Sequence, residues 1–396
     1  MEPDIAADLT DFRGVVRDWV EANFPRTLGG RAPLMGERDL DEPDFRAWRT
    51  ALCAKGWGTP TWPKAYGGGG LSRDEARVLR EEIRRAGGWN PIGWTMGVRM
   101  LGPTLLEFGT EEQKLEHISP IARGEIRWCQ GYSEPNAGSD LASLQTRAED
   151  LGDRFRVNGQ KLWTSGGQHA DWCFCLVRTD TSRKHEGISF LLIDMRTPGV
   201  EVRPIRLISG ASPFCETFFK DVDVPKANLV GPLNGGWTVG KRLLQYERQR
   251  SEDAPVRAGD SRAIEAVAKD YIGVDGEGRL ADADLRTRLT QHLMERRVFD
   301  LTMQRVSATA SAGGPSAATS ILKNVSSKIS QERAELLVEL MGAHGLAGGG
   351  DGFNDYEISS VREWLAGKAT TIYAGSYEIQ NNIIAKRILG LPDPQS

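Results

Sequence analysis

The spacing of apolar residues changes twice along this chain of 396 residues, and these changes limit the folds available to it. From about residue 4 to 126, apolar side chains recur every three to four positions, as in "LTDFRGVVRDWVEANF" and "DEARVLREEIRRAGG". That spacing predicts amphipathic helices. From about Trp128 to Val230 the period becomes two, which predicts strands, and from Gly236 onward it is helical again.

The order of these stretches predicts an α+β protein in three parts. We expect an N-terminal helical domain over residues 1–126, a middle antiparallel β domain over 127–233 and a C-terminal helical bundle over 234–396. Asn158-Gly159 in "DRFRVNGQKLWTS" predicts a hairpin turn, because both residues tolerate positive φ. The stretch "AATSILKNVSSKISQERAELLVELMG" predicts a long helix with a broad apolar face running from Ile321 to Leu340.

Composition excludes several classes of protein. The net charge of −4 and the pI near 5.9 argue against binding to nucleic acid or to an anionic membrane surface. No apolar run approaches the roughly 18 residues of a membrane span, and the N-terminus lacks a signal-peptide pattern. The five histidines never fall at ligand spacing, so no metal site is expected. The five cysteines include no CxxC pair, which suits a soluble protein of the reducing cytoplasm.

Six motifs occur in order along the chain. They are "FGTEEQK" (108–114), "GYSEPNAGSDLASLQTRA" (131–148), "VNGQKLWTS" (157–165), "FFKDVDVPKANLVG" (218–231), "IYAGSYEIQ" (372–380) and "AKRILGLP" (385–392). Together they resemble the acyl-CoA dehydrogenase family over nearly the whole chain. The segments "WCQGYSEP" and "HEGISFLLIDM" are most similar to the branch with pimeloyl-CoA dehydrogenase large subunits and actinobacterial side-chain dehydrogenases. The resemblance implies that the C-terminal part is a four-helix bundle.

The resemblance also implies a reaction and a cofactor. A base removes the proton alpha to a thioester, a hydride passes from the beta carbon to N5 of FAD, and trans-2-enoyl-CoA results. Electrons then go to electron-transfer flavoprotein. Small residues in "YSEPNAGSD" would let the backbone approach a flat ring. The cofactor-binding residues that the resemblance implies are Tyr132, Ser133, Gly138, Trp163, Ser165, Gly375, Ser376 and Glu378, with Ser139 on the nearby acyl or CoA path. Without its motif, Trp163 would be expected in the core.

The catalytic base is the unusual point of this sequence. Many family members carry it as a glutamate where this chain has Ala374, which cannot accept a proton. Another branch, which includes isovaleryl- and long-chain acyl-CoA dehydrogenases, carries it on the helix after the sheet domain. The resemblance then assigns the base to Glu247 and the neighbouring CoA-side or structural arginine to Arg248. The backbone N–H of Ala374 would still hold the thioester oxygen. The alternatives are that Glu247 is a solvated helix residue or that Glu378 is the base.

Two departures from the family pattern concern subunit contacts. The RxxFG segment that contacts a neighbouring subunit's FAD does not occur between Glu247 and Leu301, and Glu339 stands where a glutamine is expected. The assembly therefore stays open between a homodimer or homotetramer and a heterotetramer with a paralogue.

Two further functions also stay open for this chain. It could be a non-catalytic partner subunit of a heteromeric dehydrogenase, or a same-fold flavin oxidase or monooxygenase. The sequence indicates neither the acyl chain nor the physiological electron acceptor: medium-chain, dicarboxylic and bulky side-chain thioesters are all compatible with it.

Overall fold

The computed structural model describes residues 3–29, 42–248, 262–311 and 319–392. The chain divides into two compact units, one formed by Met1–Arg206 with Ser212–Val256 and the other by Leu207–Ala211 with Arg257–Ser396. Along the chain, helices come first, strands follow and helices return. The α+β class expected from the periodicity is therefore confirmed.

The first unit contains helices on both sides of the strands along the chain. They are α1 (Pro3–Asn23), α2 (Pro43–Ala54), α3 (Arg73–Arg85), α4 (Gly102–Phe108), α5 (Glu111–Gln113), α6 (Ser119–Ala122) and α7 (Gly236–Arg248), with π-helical turns at Gly97–Leu101 and Lys114–Ile118. Both N-terminal helices predicted from apolar spacing are present, as α1 and α3. Helix α3 begins at a reciprocal capping box, in which the Ser72 hydroxyl accepts from the Glu75 N–H and the Glu75 carboxylate accepts from the Ser72 N–H.

A buried carboxylate joins α1 to α3. Glu82 is 3% exposed and accepts hydrogen bonds from Arg13, Arg17 and Arg85. The hydrogen bond from Arg17, opposed by burial and reinforced by the other two arginines, lowers the Glu82 pKa from 4.5 to about 2.

This cluster makes stability depend on pH. Because the folded-state pKa of Glu82 is depressed, its contribution is complete above 4.5 and is lost as the pH falls towards 2. We expect Glu82→Gln to lower the free energy of unfolding by about 1–3 kcal/mol at pH 7, with the difference from the unsubstituted protein shrinking at pH 3. Denaturant titrations at the two pH values measure this, and an equal loss at both would contradict it.

The strands form one curled sheet of mixed direction. They are β1 (Trp128–Gly131), β2 (Arg147–Asp150), β3 (Arg154–Ser165), β4 (Trp172–Arg178), β5 (Ile188–Asp194), β6 (Val200–Ile205) and β7 (Phe214–Pro225). Their order is β1-β4-β2-β3-β7-β6, and β5 also pairs with β4. The expected antiparallel pairing holds for most neighbours, but β1 and β2 run parallel to β4. Short-range turn signals cannot reveal these pairings, because each joins strands that are separated along the chain.

The predicted hairpin at Asn158-Gly159 is wrong. Both residues lie inside β3, which continues from Arg154 to Ser165, and the register against β7 shifts between Val157 and Gly159. The Asn158 side chain forms two hydrogen bonds with Asp221 on β7. Its Nδ2 donates to the Asp221 carboxylate at 3.1 Å, and its Oδ1 accepts from the Asp221 backbone N–H at 2.9 Å. The Asn-Gly pair therefore marks a β-bulge, which needs the same conformational freedom as a turn.

Cores lie on both faces of the sheet. β4 and β5 are buried almost throughout, which explains their near-continuous apolar sequences. Cys173 and Cys175 lie on one face of β4, and both pack in the same cluster as Cys129. All five cysteines are free and buried.

The second unit is helical. Its main elements are α8 (Ile264–Ile272), α9 (Ala283–Ser311), α10 (Thr319–Leu340), α11 (Asp355–Gly367) and α12 (Tyr377–Ile383). Helix α10 packs against α8, α9 and α11. The predicted long helix is therefore present as α10, but Ile321 at its start is 41% exposed, whereas Asn324 and Ser327 are buried. Within the described ranges, no helix has the length and apolarity required to cross a membrane.

Candidate active site

The start of α7 is fixed directly on the sheet. Asn234, at φ 65°, accepts a hydrogen bond from the Thr179 hydroxyl at 2.5 Å, and its N–H donates to the Ser189 hydroxyl at 2.9 Å. A side chain at Gly236 would come within 2.3 Å of the Ser189 backbone, so only glycine allows this approach. These contacts fix both the direction and the rotation of α7.

Glu247 lies at the last turn of α7, on the stripe that faces the core. Gly240 and Leu243, seven and four positions earlier on the same face, are buried. Glu247 itself is partly buried, and its backbone carbonyl accepts a hydrogen bond from Arg99 at 3.2 Å. The carboxylate therefore follows an inward-facing ridge rather than the solvated side of the helix.

Tyr132 lies under this face of α7. Its ring is 4% exposed and packs edge-on against Phe174 and Phe190, while its hydroxyl would be 3.4 Å from a side chain at Gly240. Burial and then the charge of Glu247 raise the pKa of Tyr132 well above its ordinary value. The hydroxyl has no hydrogen-bond partner among the described residues. A buried hydroxyl without a partner costs about 1–3 kcal/mol, so this position suits a polar ligand atom.

A buried ion pair fixes the loop that follows Tyr132. Lys161, fully buried on β3, donates to the Glu134 carboxylate at 2.7 Å and to the Tyr132 carbonyl at 3.1 Å. Glu134 also accepts from the N–H groups of Gln145 and Thr146. Burial raises the Glu134 pKa, but the Lys161 charge and these hydrogen bonds outweigh it, so the pKa is lowered. Sequence reasoning missed this pair, since a Glu and a Lys 27 positions apart carry no local signal.

Trp163 is held in a strained and exposed conformation. It sits at a second bulge of β3, between Lys161 and Thr164, with φ 62° and 51% of its surface exposed. Its ring lies edge-on to Phe214 at 6.0 Å. A left-handed conformation costs a non-glycine residue about 1–2 kcal/mol, and such residues concentrate at functional sites. Trp163 therefore offers an exposed aromatic face.

Several predicted residues lie close to Trp163. The Ser133 carbonyl accepts from the Leu162 N–H at 2.8 Å, so Ser133 and Trp163 are brought together. Ser165, partly exposed, ends β3 two residues later. Tyr132 precedes Ser133 and contacts α7, so the dipeptide connects the Glu247 region to the Trp163 region.

The other predicted site residues of the first unit are Gly138, Ser139 and Arg248. Gly138 and Ser139 are exposed, and the space beside Gly138 is open. Arg248 ends α7, but its side chain lies outside the described part of the structure.

The second unit carries a tight turn at Ala374-Gly375. Their φ angles are 56° and 88°, and the Ala374 carbonyl accepts from Gln380 Nε2 at 3.3 Å. The φ of Gly375 favours glycine, and a side chain there would come within 2.4 Å of Gln380 Nε2, so the Gln380 side chain would have to move. The Ala374 N–H donates to none of the residues that the structure describes, so it is available to a ligand. Ser376 is the N-cap of α12, accepting from the Ile379 N–H.

The polar ridge of α10 supports the chain that leads into this turn. The Ser327 hydroxyl donates to the Thr370 carbonyl at 2.9 Å, and Lys323 donates to the same carbonyl. Gln331 donates at 3.1 Å to the carbonyls of Gly367 and Lys368. The sequence predicts an apolar packing face for α10, whereas these polar residues on the same helix bind the segment before Ala374.

Two acidic residues of the second unit, Glu378 and Glu339, accept hydrogen bonds that lower their pKa. Glu378 is exposed in the first turn of α12, and hydrogen bonds from its own N–H and from Ser376 lower its pKa. Glu339 forms two hydrogen bonds of 2.6 Å with Arg288 on α9, which lower its pKa. The charge that is unexpected at position 339 is therefore balanced within the chain itself.

Comparison with known proteins agrees with this geometry. Profiles of the N-terminal, middle and C-terminal domains of acyl-CoA dehydrogenases match residues 7–125, 129–222 and 234–389. The acyl-CoA dehydrogenase IpdE1 of Mycobacterium tuberculosis is 36% identical over 395 residues, which cover 97% of this chain and 98% of that protein. The chain belongs to the acyl-CoA dehydrogenase family.

Solved structures extend the similarity to the fold. The Tcur3481-Tcur3483 steroid ACAD superimposes with a TM-score of 0.76 at 30% identity and covers 99% of both chains. The ChsE4-ChsE5 complex of Mycobacterium tuberculosis gives a TM-score of 0.75 at 29% identity, covering 97% of this chain and 98% of that one. The resemblance inferred from six motifs and the three-part fold that it implied are confirmed, and the chain is an acyl-CoA dehydrogenase, an oxidoreductase.

The site residues of this acyl-CoA dehydrogenase fit the flavin on which the family depends. The exposed face of Trp163 suits a flat ring, and the partly exposed hydroxyls of Ser133 and Ser165 are suitable polar neighbours. The orphaned Tyr132 hydroxyl marks a further polar position on the same dipeptide. However, the buried Tyr132 ring leaves little surface for ring contact, so its part in binding would come mainly from its backbone and hydroxyl.

Proposed function

We propose that this acyl-CoA dehydrogenase oxidises an acyl-CoA thioester to trans-2-enoyl-CoA with FAD as cofactor and Glu247 as the base. The observation that carries the proposal is the placement of Glu247 on the inward-facing ridge of α7, where its charge acts on the buried Tyr132 hydroxyl. Water would screen the charge of a glutamate on the solvated side of α7 from this buried phenol. Ala374 leaves the other family base position without an acid.

The reaction that the family resemblance implies requires a base and a hydrogen-bond donor to the thioester oxygen. Glu247 accepts the proton from the alpha carbon, a hydride leaves the beta carbon, and a double bond forms between them. The Ala374 N–H donates to the thioester oxygen, where negative charge develops as the proton is removed. The turn that presents this N–H is fixed by Gln380 and, through the segment before it, by α10. We assign Ser139 and Arg248 to the CoA side of the substrate.

We assign the FAD contacts to the residues that the family resemblance implies. In the first unit these are Tyr132, Ser133, Gly138, Trp163 and Ser165, and in the second Gly375, Ser376 and Glu378. When bound, the cofactor supplies the hydride acceptor and passes the electrons on, in our proposal to electron-transfer flavoprotein. The strained backbone of Trp163 keeps its indole exposed for this contact, and Phe214 limits its rotation.

Replacing Trp163 by glycine tests this role. Relief of the positive φ should offset the lost packing, so we expect the FAD-free protein to change in free energy of unfolding by less than about 1 kcal/mol. The affinity for FAD should fall about tenfold or more, because an aromatic contact is removed. Denaturant titration and flavin fluorescence titration measure the two effects.

Trp128→Gly is the matched control for this substitution. Trp128 is 5% exposed and has no positive φ, so its loss should cost about 3–5 kcal/mol of stability. Unchanged FAD affinity in Trp163→Gly would remove Trp163 from the cofactor site.

The central test uses the purified chain with bound FAD. Under anaerobic conditions, a suitable acyl-CoA should bleach the flavin absorbance, and electron-transfer flavoprotein should restore turnover. Product analysis should show a trans-2-enoyl-CoA. Peroxide formation with oxygen and no turnover with electron-transfer flavoprotein would instead favour a flavin oxidase. Failure of every thioester to bleach a fully loaded protein would overturn the proposal.

We further propose that the chain works as an oligomer, with a heterotetramer containing a paralogue as the preferred form. An apolar stripe on α9, formed by Met294, Val298 and Leu301, is exposed at 58%, 63% and 47%. Helical spacing places the three on one face, which suits a second subunit. The relatives described above include a complex of two different chains, ChsE4 and ChsE5. Native mass spectrometry of the chain with and without its paralogue distinguishes the two assemblies.

A further inference from the structure

Arg99 is a partly buried cation beside the proposed base. It lies in the π-helical turn Gly97–Leu101, which packs against α7. Its Nη2 donates to the Glu247 carbonyl at 3.2 Å, and burial lowers its pKa although the Glu247 charge acts in the opposite direction. Arg99 forms no ion pair within the part of the chain that the structure describes. π-Helical turns interrupt regular helices at a cost and are frequent at functional sites.

A second buried arginine of the chain shows what a purely structural role looks like. Arg178 is 8% exposed and uses Nε, Nη1 and Nη2 to donate to the carbonyls of Ala142, Leu144, Arg183 and Lys184. All three nitrogen atoms of the Arg178 guanidinium therefore donate to backbone oxygens. Arg99 has the same five N–H donors, but the structure gives it a single hydrogen bond. Most of the donor capacity of Arg99 is left for another group.

The neighbourhood of Arg99 is suited to a negatively charged ligand. A guanidinium recognises a carboxylate with two parallel hydrogen bonds, which are stronger than bonds between neutral groups. Without a cation, a second carboxylate near Glu247 would be repelled by it. The Glu247 charge also acts on the Tyr132 hydroxyl, a neutral donor without a partner among the described residues.

We propose that Arg99 determines specificity by binding a carboxylate on the acyl chain, so that the preferred substrates are thioesters of dicarboxylic acids. This inference rests on the proposed function, because it requires the acyl group to lie beside Glu247. The Glu247 carbonyl fixes the guanidinium, and the free donors bind the distal carboxylate. Arg99 thus supplies the positive charge that a distal carboxylate requires.

Matched pairs of thioesters test the proposal with the FAD-loaded protein. We would compare hexanoyl-CoA with adipoyl-CoA, and octanoyl-CoA with suberoyl-CoA, by kcat/KM. At the chain length that the enzyme oxidises faster, kcat/KM should be about 10- to 100-fold higher for the dicarboxylic thioester than for the plain one. This ratio corresponds to the free energy of a charge-assisted hydrogen bond. In Arg99→Met this preference should disappear through loss of activity on the dicarboxylic substrate, while Arg99→Lys should retain part of it.

Binding gives a second readout that does not depend on turnover. Thioether analogues of adipoyl-CoA and hexanoyl-CoA cannot be oxidised through an acidic alpha carbon, and calorimetry measures their Kd. Arg99→Met should weaken only the analogue with the carboxylate. The control is Arg77→Met, an exposed arginine on α3 that should change neither Kd.

The possible results distinguish failure of the Arg99 inference from failure of the proposed function. If plain acyl-CoAs bleach the flavin and Arg99→Met affects both members of a pair equally, Arg99 only supports α7 and the inference fails. If no thioester bleaches the flavin of the unsubstituted protein, the proposed function itself fails. If Arg99→Met does not fold, unchanged dicarboxylic preference in a folded Arg99→Gln variant would equally overturn the inference.

Discussion

Glu247→Gln should slow anaerobic flavin reduction by acyl-CoA about 10²- to 10⁴-fold while FAD stays bound. Glutamine keeps the size of the side chain and the helix propensity of the last turn of α7, but it cannot accept a proton at neutral pH. The Arg99 hydrogen bond goes to the backbone carbonyl of residue 247, so the substitution should leave it intact. Stopped-flow absorbance with saturating acyl-CoA measures the rate.

The control for this experiment is a glutamate of the same unit without a proposed role. Glu149 is exposed on β2, and Glu149→Gln should reduce the flavin at the unsubstituted rate. Binding of enoyl-CoA product to Glu247→Gln should remain within about threefold of the unsubstituted protein, which shows that the site is formed. Normal bleaching by Glu247→Gln would exclude Glu247 as the base and leave Glu378 as the acid to test.

Lys161→Met should destabilise the first unit by about 3–5 kcal/mol and also release FAD. The substitution leaves Glu134 as a buried carboxylate without its cation, and it removes the donor to the Tyr132 carbonyl. Because Lys161 is two residues from Trp163, the bulge that exposes the indole loses its support. Thermal melting of the FAD-free protein and the flavin content after purification measure the two effects.

Two further variants separate burial from charge. Lys161→Met with Glu134→Gln should recover part of the lost stability, since no uncompensated charge is then buried. Lys226→Met breaks the exposed pair with Asp150 on the same sheet and should cost less than about 1 kcal/mol. Equal losses from Lys161→Met and Lys226→Met would show that burial of the Glu134–Lys161 pair has no energetic importance.

Local pattern predicted the elements of this fold well, because helices such as α1, α3 and α10 depend on the spacing of nearby apolar residues. It failed at Asn158-Gly159, where the same conformational freedom serves a bulge inside β3. The parallel pairing of β1 with β4 joins segments more than 40 residues apart, Trp128 with Trp172, and no local signal encodes it.

For the site, resemblance to the family indicated Trp163, Ser133 and Glu247, and the structure shows where each lies. The supporting residues could not be predicted in the same way. Arg99 and Glu247 are 148 positions apart, and their relation exists only after α7 has packed on the π-helical turn. Similarly, the sequence does not distinguish Ser327 and Gln331 from other polar residues of α10. Their role is evident only from the fold, in which they donate to carbonyls of residues 367–370.

The attachment of α7 at Gly236 restricts how sequence length can vary in this protein. Glu247 is eleven positions after Gly236, and each residue of an α-helix turns the chain by about 100°. A one-residue insertion or deletion within that interval would rotate the carboxylate away from Tyr132 while leaving the attachment to the sheet unchanged. Relatives that keep their acid at the end of this helix should therefore conserve the interval.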